Sequence, residues 1–153
     1  MSYRPSNFVI QEFVSKHMYE KWGERCWQLL DERMVRSAQD LRNYFGPLTI
    51  NDWHVGGKFQ QRGLRTWEFF IDEDEPIEYA LECYAASRSQ HKYGRAVDLH
   101  STAYSADEMR EAVINGTCLT EFTAIESFPG MSWFHGDVRS VKPNSLSGFY
   151  IFG

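Results

Sequence analysis

The chain has 153 residues, with 42% hydrophobic residues, 16% aromatic residues and a formal net charge of −5. This length and composition are typical of one globular domain and exclude a disordered chain, which would be poor in aromatic residues. The acidic balance disfavours nucleic-acid binding, and no apolar run reaches the roughly 18 residues that a membrane-spanning helix needs.

The start of the chain and its cysteines do not indicate a secreted protein. Residues 1–10 contain one arginine and no long apolar stretch, so we predict no secretory signal. We therefore expect synthesis in the cytoplasm, with release to the cell wall or incorporation into a virion only by another route. Cys26, Cys83 and Cys118 are odd in number and lack C-x-x-C spacing, which predicts buried free thiols.

The first third of the chain has the pattern of helices. Ser6 and Asn7 can cap a helix that ends at Gly23. A second helix is predicted to end at Gly46-Pro47, from an apolar stripe with members three or four residues apart: Trp27, Leu30, Met34, Ala38, Leu41 and Phe45. We expect this stripe to lie in the core. Residues 1–47 would then be the helical part of a single domain that spans residues 1–153.

Shorter elements follow from residue 48 onward. Residues 48–55 are predicted to form a strand, and Gly56-Gly57 a turn. The acidic residues within 70–79 favour a solvated loop, and residues 78–86 are compatible with either a helix or a strand.

The last third combines one more helix with several strands. Residues 95–99 are predicted as a strand, and Ser105 with Glu108 forms a capping box for a helix that ends near Ile114. Three further runs are rich in β-forming residues: 119–128, 132–139 and 148–152. The chain is therefore predicted to be α+β, with its N-terminal helices packed on a mostly antiparallel sheet.

The segment 89–98 carries the first residues with metal-binding chemistry. His91 offers an imidazole nitrogen and Asp98 a carboxylate, and both are good ligands for zinc. Gly94 between them permits a turn with positive φ. If a strand follows, Ala96, Asp98 and His100 share one face.

A third ligand must come from elsewhere in the chain, and His135 is the obvious donor. It lies in a second predicted strand, where His135, Asp137 and Arg139 would share a face. Three protein ligands and one open position are the arrangement of a catalytic zinc site.

The two segments together carry a family resemblance. The pattern has five positions in the first segment and four in the second: Ser89-x-His91-x-x-Gly94-x-Ala96-x-Asp98 and Trp133-x-His135-x-Asp137-x-Arg139. It resembles the zinc D-Ala-D-Ala carboxypeptidase family. The relatives of that family include phage endolysins that cut the L-alanyl-D-glutamate bond and the hedgehog signalling domain. The resemblance covers residues 51–139 and suggests a phage or prophage source.

The resemblance implies a hedgehog/DD-peptidase-like fold and a zinc-dependent peptidase of the carboxypeptidase or endopeptidase type. Its substrate would be an amide bond of a peptidoglycan stem peptide. His91, Asp98 and His135 would bind zinc, which polarises a carbonyl group and activates water. Arg65, at the end of a segment that resembles the family's Gly-Tyr-Arg element, would grip a carboxylate of the peptide.

The general base is less defined, because some branches of the family place an acid three residues before the last histidine ligand, and Ser132 occupies that position here. Asp137 matches the His-x-Asp of another branch and is the preferred base, with Glu126 as its rival. Asp137 has a second interpretation, in which it holds a ligand or Arg139 in place.

Several other residues are predicted to contact substrate. Ser89 belongs to the first motif, and Tyr93 can stack or donate a hydrogen bond at the rim of the cleft. His100 can contact substrate or buffer a proton, although a hydrogen-bonded histidine at the end of a strand is the simpler interpretation.

Two other functions stay open. The missing acid at Ser132 is compatible with a zinc-bearing binding module that does not turn over substrate. Residues 1–50 resemble no known module, and they could attach the domain to a virion or a host protein.

Overall fold

A computed structural model describes residues 2–141 and 148–153. Within these residues the α-helices are α1 (Lys16–Trp22), α2 (Glu32–Phe45), α3 (Ile77–Ala86) and α4 (Ala106–Ile114). The strands are β1 (Ala96–Leu99), β2 (Ala124–Glu126), β3 (Phe134–Asp137) and β4 (Tyr150–Phe152). The predicted α+β class is confirmed, and the strands are shorter than the β-rich runs that contain them.

The four strands form one mixed sheet in the order β1-β3-β2-β4. Strand β3 is antiparallel to both β1 and β2, whereas β2 and β4 are parallel, so the sheet is only partly antiparallel. The register places Asp98 opposite His135 on one side of β3 and Glu126 opposite His135 on the other. Because directly opposed residues share a face of the sheet, these three side chains lie side by side.

The first helix begins later than predicted. Ser15, not Ser6 or Asn7, caps α1 by accepting a hydrogen bond from the main-chain nitrogen of Met18, and Gly23 ends the helix as expected. Upstream, only a short 3₁₀ turn forms at Ile10–Glu12. The carbonyl oxygens of Phe13 and Val14 accept hydrogen bonds from residues 51–64, so a helix cannot use them.

The second helix is also shorter at its start. Residues Gly23–Leu29 form 3₁₀ turns, and α2 begins only after Asp31, whose carboxylate accepts a hydrogen bond from the main-chain nitrogen of Arg33 at 3.0 Å. Leu30 is extended, and Asp31 donates its own main-chain hydrogen to the carbonyl of Gly94. The predicted apolar stripe is nevertheless buried along its whole length, and α2 ends at Gly46 as predicted.

The prediction of a strand at residues 48–55 is wrong. Only Thr49 pairs, in an isolated bridge with His100, and the chain then turns through a 3₁₀ segment at Trp53–Val55. Asp52 causes this turn, because its side chain accepts a hydrogen bond from the main-chain nitrogen of Phe59 and its carbonyl accepts from Val55 and Gly57.

The elements further along agree with the sequence. The open choice at residues 78–86 resolves as α3, preceded by an exposed acidic loop. The capping box at the start of α4 is present, with both reciprocal hydrogen bonds between Ser105 and Glu108.

One hydrophobic core joins the N-terminal part of the chain to the sheet. The buried cluster extends from Phe13 and Met34 to Leu99, Ile125 and Phe134, all inaccessible to solvent. The three cysteines are free thiols, of which Cys26 and Cys118 are buried and Cys83 is partly exposed. Among the described residues, none of the helices has the length and apolar character needed to cross a bilayer.

Candidate metal centre

Three side chains that are far apart in sequence meet at one end of the sheet. His91 lies in a 3₁₀ turn at Gln90–Tyr93, Asp98 in β1 and His135 in β3. Asp98 Oδ1 lies 2.7 Å from His135 Nδ1 and 3.2 Å from His91 Nε2, and the two nitrogens are 3.2 Å apart. This buried group can hold a metal ion.

Gly94 shapes the connection between the first two of these residues. It adopts the left-handed conformation with φ of 65° and ends the turn that carries His91. A side chain at this position would overlap the main-chain oxygen of Leu29. Only glycine combines this φ with such a close approach, so the chain can turn here and enter β1 two residues later.

The ring of His91 has a fixed orientation. Its Nδ1 lies 2.9 Å from the main-chain oxygen of Gly63. A carbonyl oxygen can only accept, so Nδ1 carries the hydrogen and donates it. The lone pair of the neutral ring is then on Nε2, the atom that faces Asp98 and His135.

The ring of His135 is held in a comparable way from the opposite side. Its Nε2 donates to Asp137 Oδ2 at 3.1 Å, which leaves Nδ1 facing the centre. Asp137 is fully buried and is held in turn by Arg139, whose Nε donates to Oδ1 at 2.8 Å. Both imidazoles therefore present one nitrogen to the same point and use the other to anchor the ring.

The charges of the centre follow from these contacts. Burial disfavours the charged form of His91 and lowers its pKa. Burial also opposes charge on His135, but its hydrogen bonds to Asp137 and Asp98 prevail and raise its pKa to about 9. Burial works against ionisation of Asp98 as well, yet the two histidines keep the pKa of that carboxyl well below its usual range. Without a cation, the proton on His135 Nδ1 faces two acceptors, Asp98 Oδ1 at 2.7 Å and His91 Nε2 at 3.2 Å.

The segment Arg62-Gly63-Leu64-Arg65 supports the centre with its main chain. The carbonyl of Arg62 accepts from the main-chain nitrogen of Asp98 at 2.8 Å, and the main-chain nitrogen of Arg65 donates to the carbonyl of His91 at 3.0 Å. With the Gly63 carbonyl, this segment positions two of the three ligands. This role was not predicted from the sequence. Gly63 is the residue whose type is compatible with it, because a side chain there would overlap the main chain of Phe13.

The centre opens into a cleft of about 410 Å³. Among the residues predicted to act in catalysis or substrate binding, Arg65, Glu126 and Ser89 line this cleft. Glu126 Oε2 lies 3.9 Å from His135 Nδ1, on the open side of the centre. Trp133, which belongs to the second motif, also lines the cleft, as do Gln90 and Phe152, which no motif in the sequence includes.

Asp137 lies elsewhere. Its carboxylate is behind His135, is inaccessible to solvent and does not line the cleft. Both of its oxygens accept hydrogen bonds, from His135 and from Arg139. These contacts match the second interpretation of Asp137, as the residue that holds a ligand and Arg139 in place.

The remaining predicted contacts are outside the centre. Tyr93 is exposed and lines a separate cavity beside α1. His100 lies past the end of β1, where its Nδ1 accepts from Arg62 Nη1 at 2.7 Å, as in its simpler interpretation.

The donor set of two imidazole nitrogens and one carboxylate oxygen fits a divalent cation of intermediate softness. The three donor atoms are 2.7–3.2 Å apart, close to the separations found among atoms that share one small cation. Comparisons with protein-family models, curated proteins and solved structures found no match to this chain.

Proposed function

We propose that this chain is a zinc-dependent peptidase that hydrolyses an amide bond in a peptidoglycan stem peptide, as a carboxypeptidase or an endopeptidase. The observation that carries the proposal is the convergence of His91, Asp98 and His135, with each histidine anchored through its other ring nitrogen. This pattern of anchored ligands is typical of protein zinc sites. The proposal also rests on the motif resemblance described above.

Zinc is the metal that best suits the donor set, and His91 Nε2, His135 Nδ1 and Asp98 would hold it. A zinc ion supplies a Lewis acid that polarises a carbonyl group and makes water more acidic. The carboxylate of Asp137, which accepts from His135 Nε2, increases the electron density of the ring and keeps it oriented.

Glu126 is the residue placed to move the proton. Its side chain is 28% exposed and lines the cleft, and Oε2 faces the open side of the centre. From there Oε2 can accept a proton from the attacking water and return it to the nitrogen of the leaving amine. Asp137 has no free oxygen for this role, since His135 and Arg139 occupy both.

Two arginines favour a substrate with a carboxylate. Arg65 is largely buried, stacks on the ring of Phe69 at 3.7 Å and approaches Asp98 Oδ2 at 3.5 Å. Arg139 lines the same cleft from the β3 side. Arg139 already donates to Asp137 through Nε and Nη2, so Arg65, whose hydrogen bonds are long, is the guanidinium better able to bind and orient a carboxylate of the peptide.

The test combines metal analysis with product analysis. Protein purified without added zinc should hold close to one zinc ion per chain or take it up on titration. Incubation with a purified stem peptide should release a fragment that mass spectrometry detects. Asp98→Ala should lose both zinc and hydrolysis, whereas Asp107→Ala, which removes an exposed carboxylate on α4, should lose neither.

Two outcomes would contradict the proposal. Less than about a tenth of a zinc ion per chain, with no uptake on titration, would exclude the metal site. Tight peptide binding to the zinc-loaded protein without any product would instead favour the binding module that the missing acid at Ser132 suggests.

A further inference from the structure

A second cavity lies beside the metal centre. It has a volume of about 690 Å³ and shares four lining residues with the cleft described above: Arg65, Phe69, Asp98 and Trp133. The two cavities therefore join at the centre. A peptide longer than a single amide unit would extend from the metal group into this second space, so its lining decides which peptides fit.

Arg62 is one of the charged residues that line this cavity. Its guanidinium stacks on the ring of Phe59 at 3.7 Å, and Nη1 donates to His100 Nδ1 at 2.7 Å. Among the residues that the structure describes, no carboxylate forms an ion pair with Arg62. Arg65, Arg110 and Arg139 differ in this respect, since each is paired with an aspartate.

An arginine in this situation has unused binding capacity. The guanidinium offers five hydrogen-bond donors, and the contact with His100 uses one. Burial removes water from Arg62 and lowers its pKa, and the carboxylates of Asp98 and Asp52, neither of which forms an ion pair with it, compensate its charge only in part. An anionic ligand would supply that compensation and would find a planar donor already fixed by the Phe59 ring.

The other charged residues that line the cavity also affect which ligand it can bind. Lys58 adds a second cation on the same side, with Nζ 5.9 Å from the Phe59 ring. Asp98 is engaged with the histidines and Arg65. Glu68 also lines the cavity, and its Oε2 has no hydrogen-bond partner among the described residues. A peptide presents N–H groups as well as a carboxylate, so Glu68 can accept from its main chain.

We propose that this cavity is a substrate subsite that binds a carboxylate of an acidic peptide through Arg62, with Lys58 as an auxiliary cation. This inference rests on the proposed function and narrows its substrate to peptides with an anionic group beside the scissile bond. The carboxylate can come from a glutamate residue of the peptide or from its C-terminus.

The test compares three stem tetrapeptides: one with both carboxylates free, one with the glutamate carboxylate amidated and one with the C-terminal carboxylate amidated. Affinity is measured by calorimetry on zinc-loaded Glu126→Gln protein, which should bind without turnover. One of the two amidations should weaken binding by about tenfold. The peptide that shows this loss identifies the source of the carboxylate.

The role of Arg62 is tested with variants in the same background. Arg62→Gln should bind the free and amidated peptides within about twofold of each other. Arg62→Lys, which keeps the charge without the planar fork, and Lys58→Gln, which changes an exposed residue, should each reduce the discrimination partly. If Arg62→Gln does not fold, the partial loss of discrimination in either of these two variants serves as the test instead. Arg25→Gln removes an exposed charge that does not line the cavity and should leave the discrimination unchanged.

Equal affinity for all three peptides, no binding of any of them, or a loss on amidation that persists in Arg62→Gln would each overturn the subsite. Charge-dependent binding without hydrolysis by the unmutated zinc-loaded chain would contradict the proposed catalysis and leave the subsite intact.

Discussion

Asp137 and His135 are joined by a hydrogen bond of 3.1 Å between Oδ2 and Nε2, on the side of the imidazole that faces away from Asp98. Asp137 is fully buried, and Arg139 donates to both of its oxygens. Burial alone would raise the pKa of Asp137, but the hydrogen bonds from His135 and Arg139 lower it below its ordinary value. In the proposed zinc site, an ionised carboxylate with both oxygens occupied would orient His135 and would be a poor general base.

Asp137→Asn should therefore weaken zinc binding by about 10–100-fold, because the amide cannot support the orientation and basicity of His135 as a carboxylate does. Competition with a chromophoric chelator measures this affinity. Peptide hydrolysis at saturating zinc should be restored at least in part. Unchanged zinc affinity with complete loss of hydrolysis would identify Asp137 as the base after all.

Glu126→Gln should show the opposite behaviour. The substitution removes the proton acceptor at the cleft and no metal ligand, so zinc content should stay the same while kcat falls by about 10²–10⁴-fold. Steady-state kinetics on a stem peptide, with zinc measured on the same sample, checks both quantities. Glu121→Gln, an exposed acid just before β2, is the control and should keep its activity. Retention of most activity by Glu126→Gln would exclude it as the base.

Zinc affinity should fall as the pH falls. In the metal-free protein the pKa of His135 is raised to about 9, so at neutral pH its Nδ1 carries a proton that zinc must displace. Below that pKa each unit of pH should therefore weaken apparent zinc binding by up to about tenfold, and above it this dependence should vanish. Titrations in a competing chelator at about pH 6.5, 7.5 and 8.5 would measure the slope. A flat response would show that zinc displaces no proton from His135, which would contradict either its raised pKa or its role as a ligand.

The grouping of His91, Asp98 and His135 was predicted chiefly from the motif resemblance. The local rule that side chains two apart on a strand share a face gave the orientation of Asp98 and His135, and the register between β1 and β3 then places them opposite each other. Gly94 likewise predicted a turn with positive φ, which the structure contains. The element bounds were less predictable at the N-terminus, where the carbonyls of Phe13 and Val14 bond to residues 51–64 instead of continuing a helix.

The choice of base was beyond sequence reasoning for a related reason. The motif pattern favoured Asp137, because it shares a strand face with His135. The pattern could not show that Arg139 would donate hydrogen bonds to the carboxylate oxygens of Asp137. Nor could it show that β2 would pair with β3 in the register that places Glu126 opposite His135. Register between strands that are separate in sequence depends on the whole fold. The bonds from residues 62–65 to β1 are equally non-local.

Gly94 should be more sensitive to substitution than the glycines with positive φ that have open space around them. In Gly94→Ala the left-handed backbone costs about 1–2 kcal/mol, and overlap with the Leu29 carbonyl adds to this. Gly116→Ala is the matched control, since Gly116 has φ of 80° but open space around it, so only the backbone cost applies. Urea denaturation would compare the two free energies of unfolding. Equal losses would show that the turn before β1 accommodates a side chain.

The cysteines give a test of the core that is independent of the metal. Cys118 is buried, and burial together with the nearby Asp40 carboxylate raises the pKa of its thiol to about 11. Burial also raises the pKa of the Cys26 thiol. At about pH 8 only about one in a thousand Cys118 side chains would be thiolate, the reactive form. Cys83 is the partly exposed member of the three.

Native protein treated with iodoacetamide at about pH 8 should therefore gain one adduct, at Cys83, whereas urea-unfolded protein should gain three. Intact-mass spectrometry counts the adducts, and peptide mapping locates them. In Cys83→Ser the native protein should gain none. Rapid modification of Cys26 or Cys118 in folded protein would mean that the core formed by the N-terminal helices and the sheet opens readily, because both thiols lie within it.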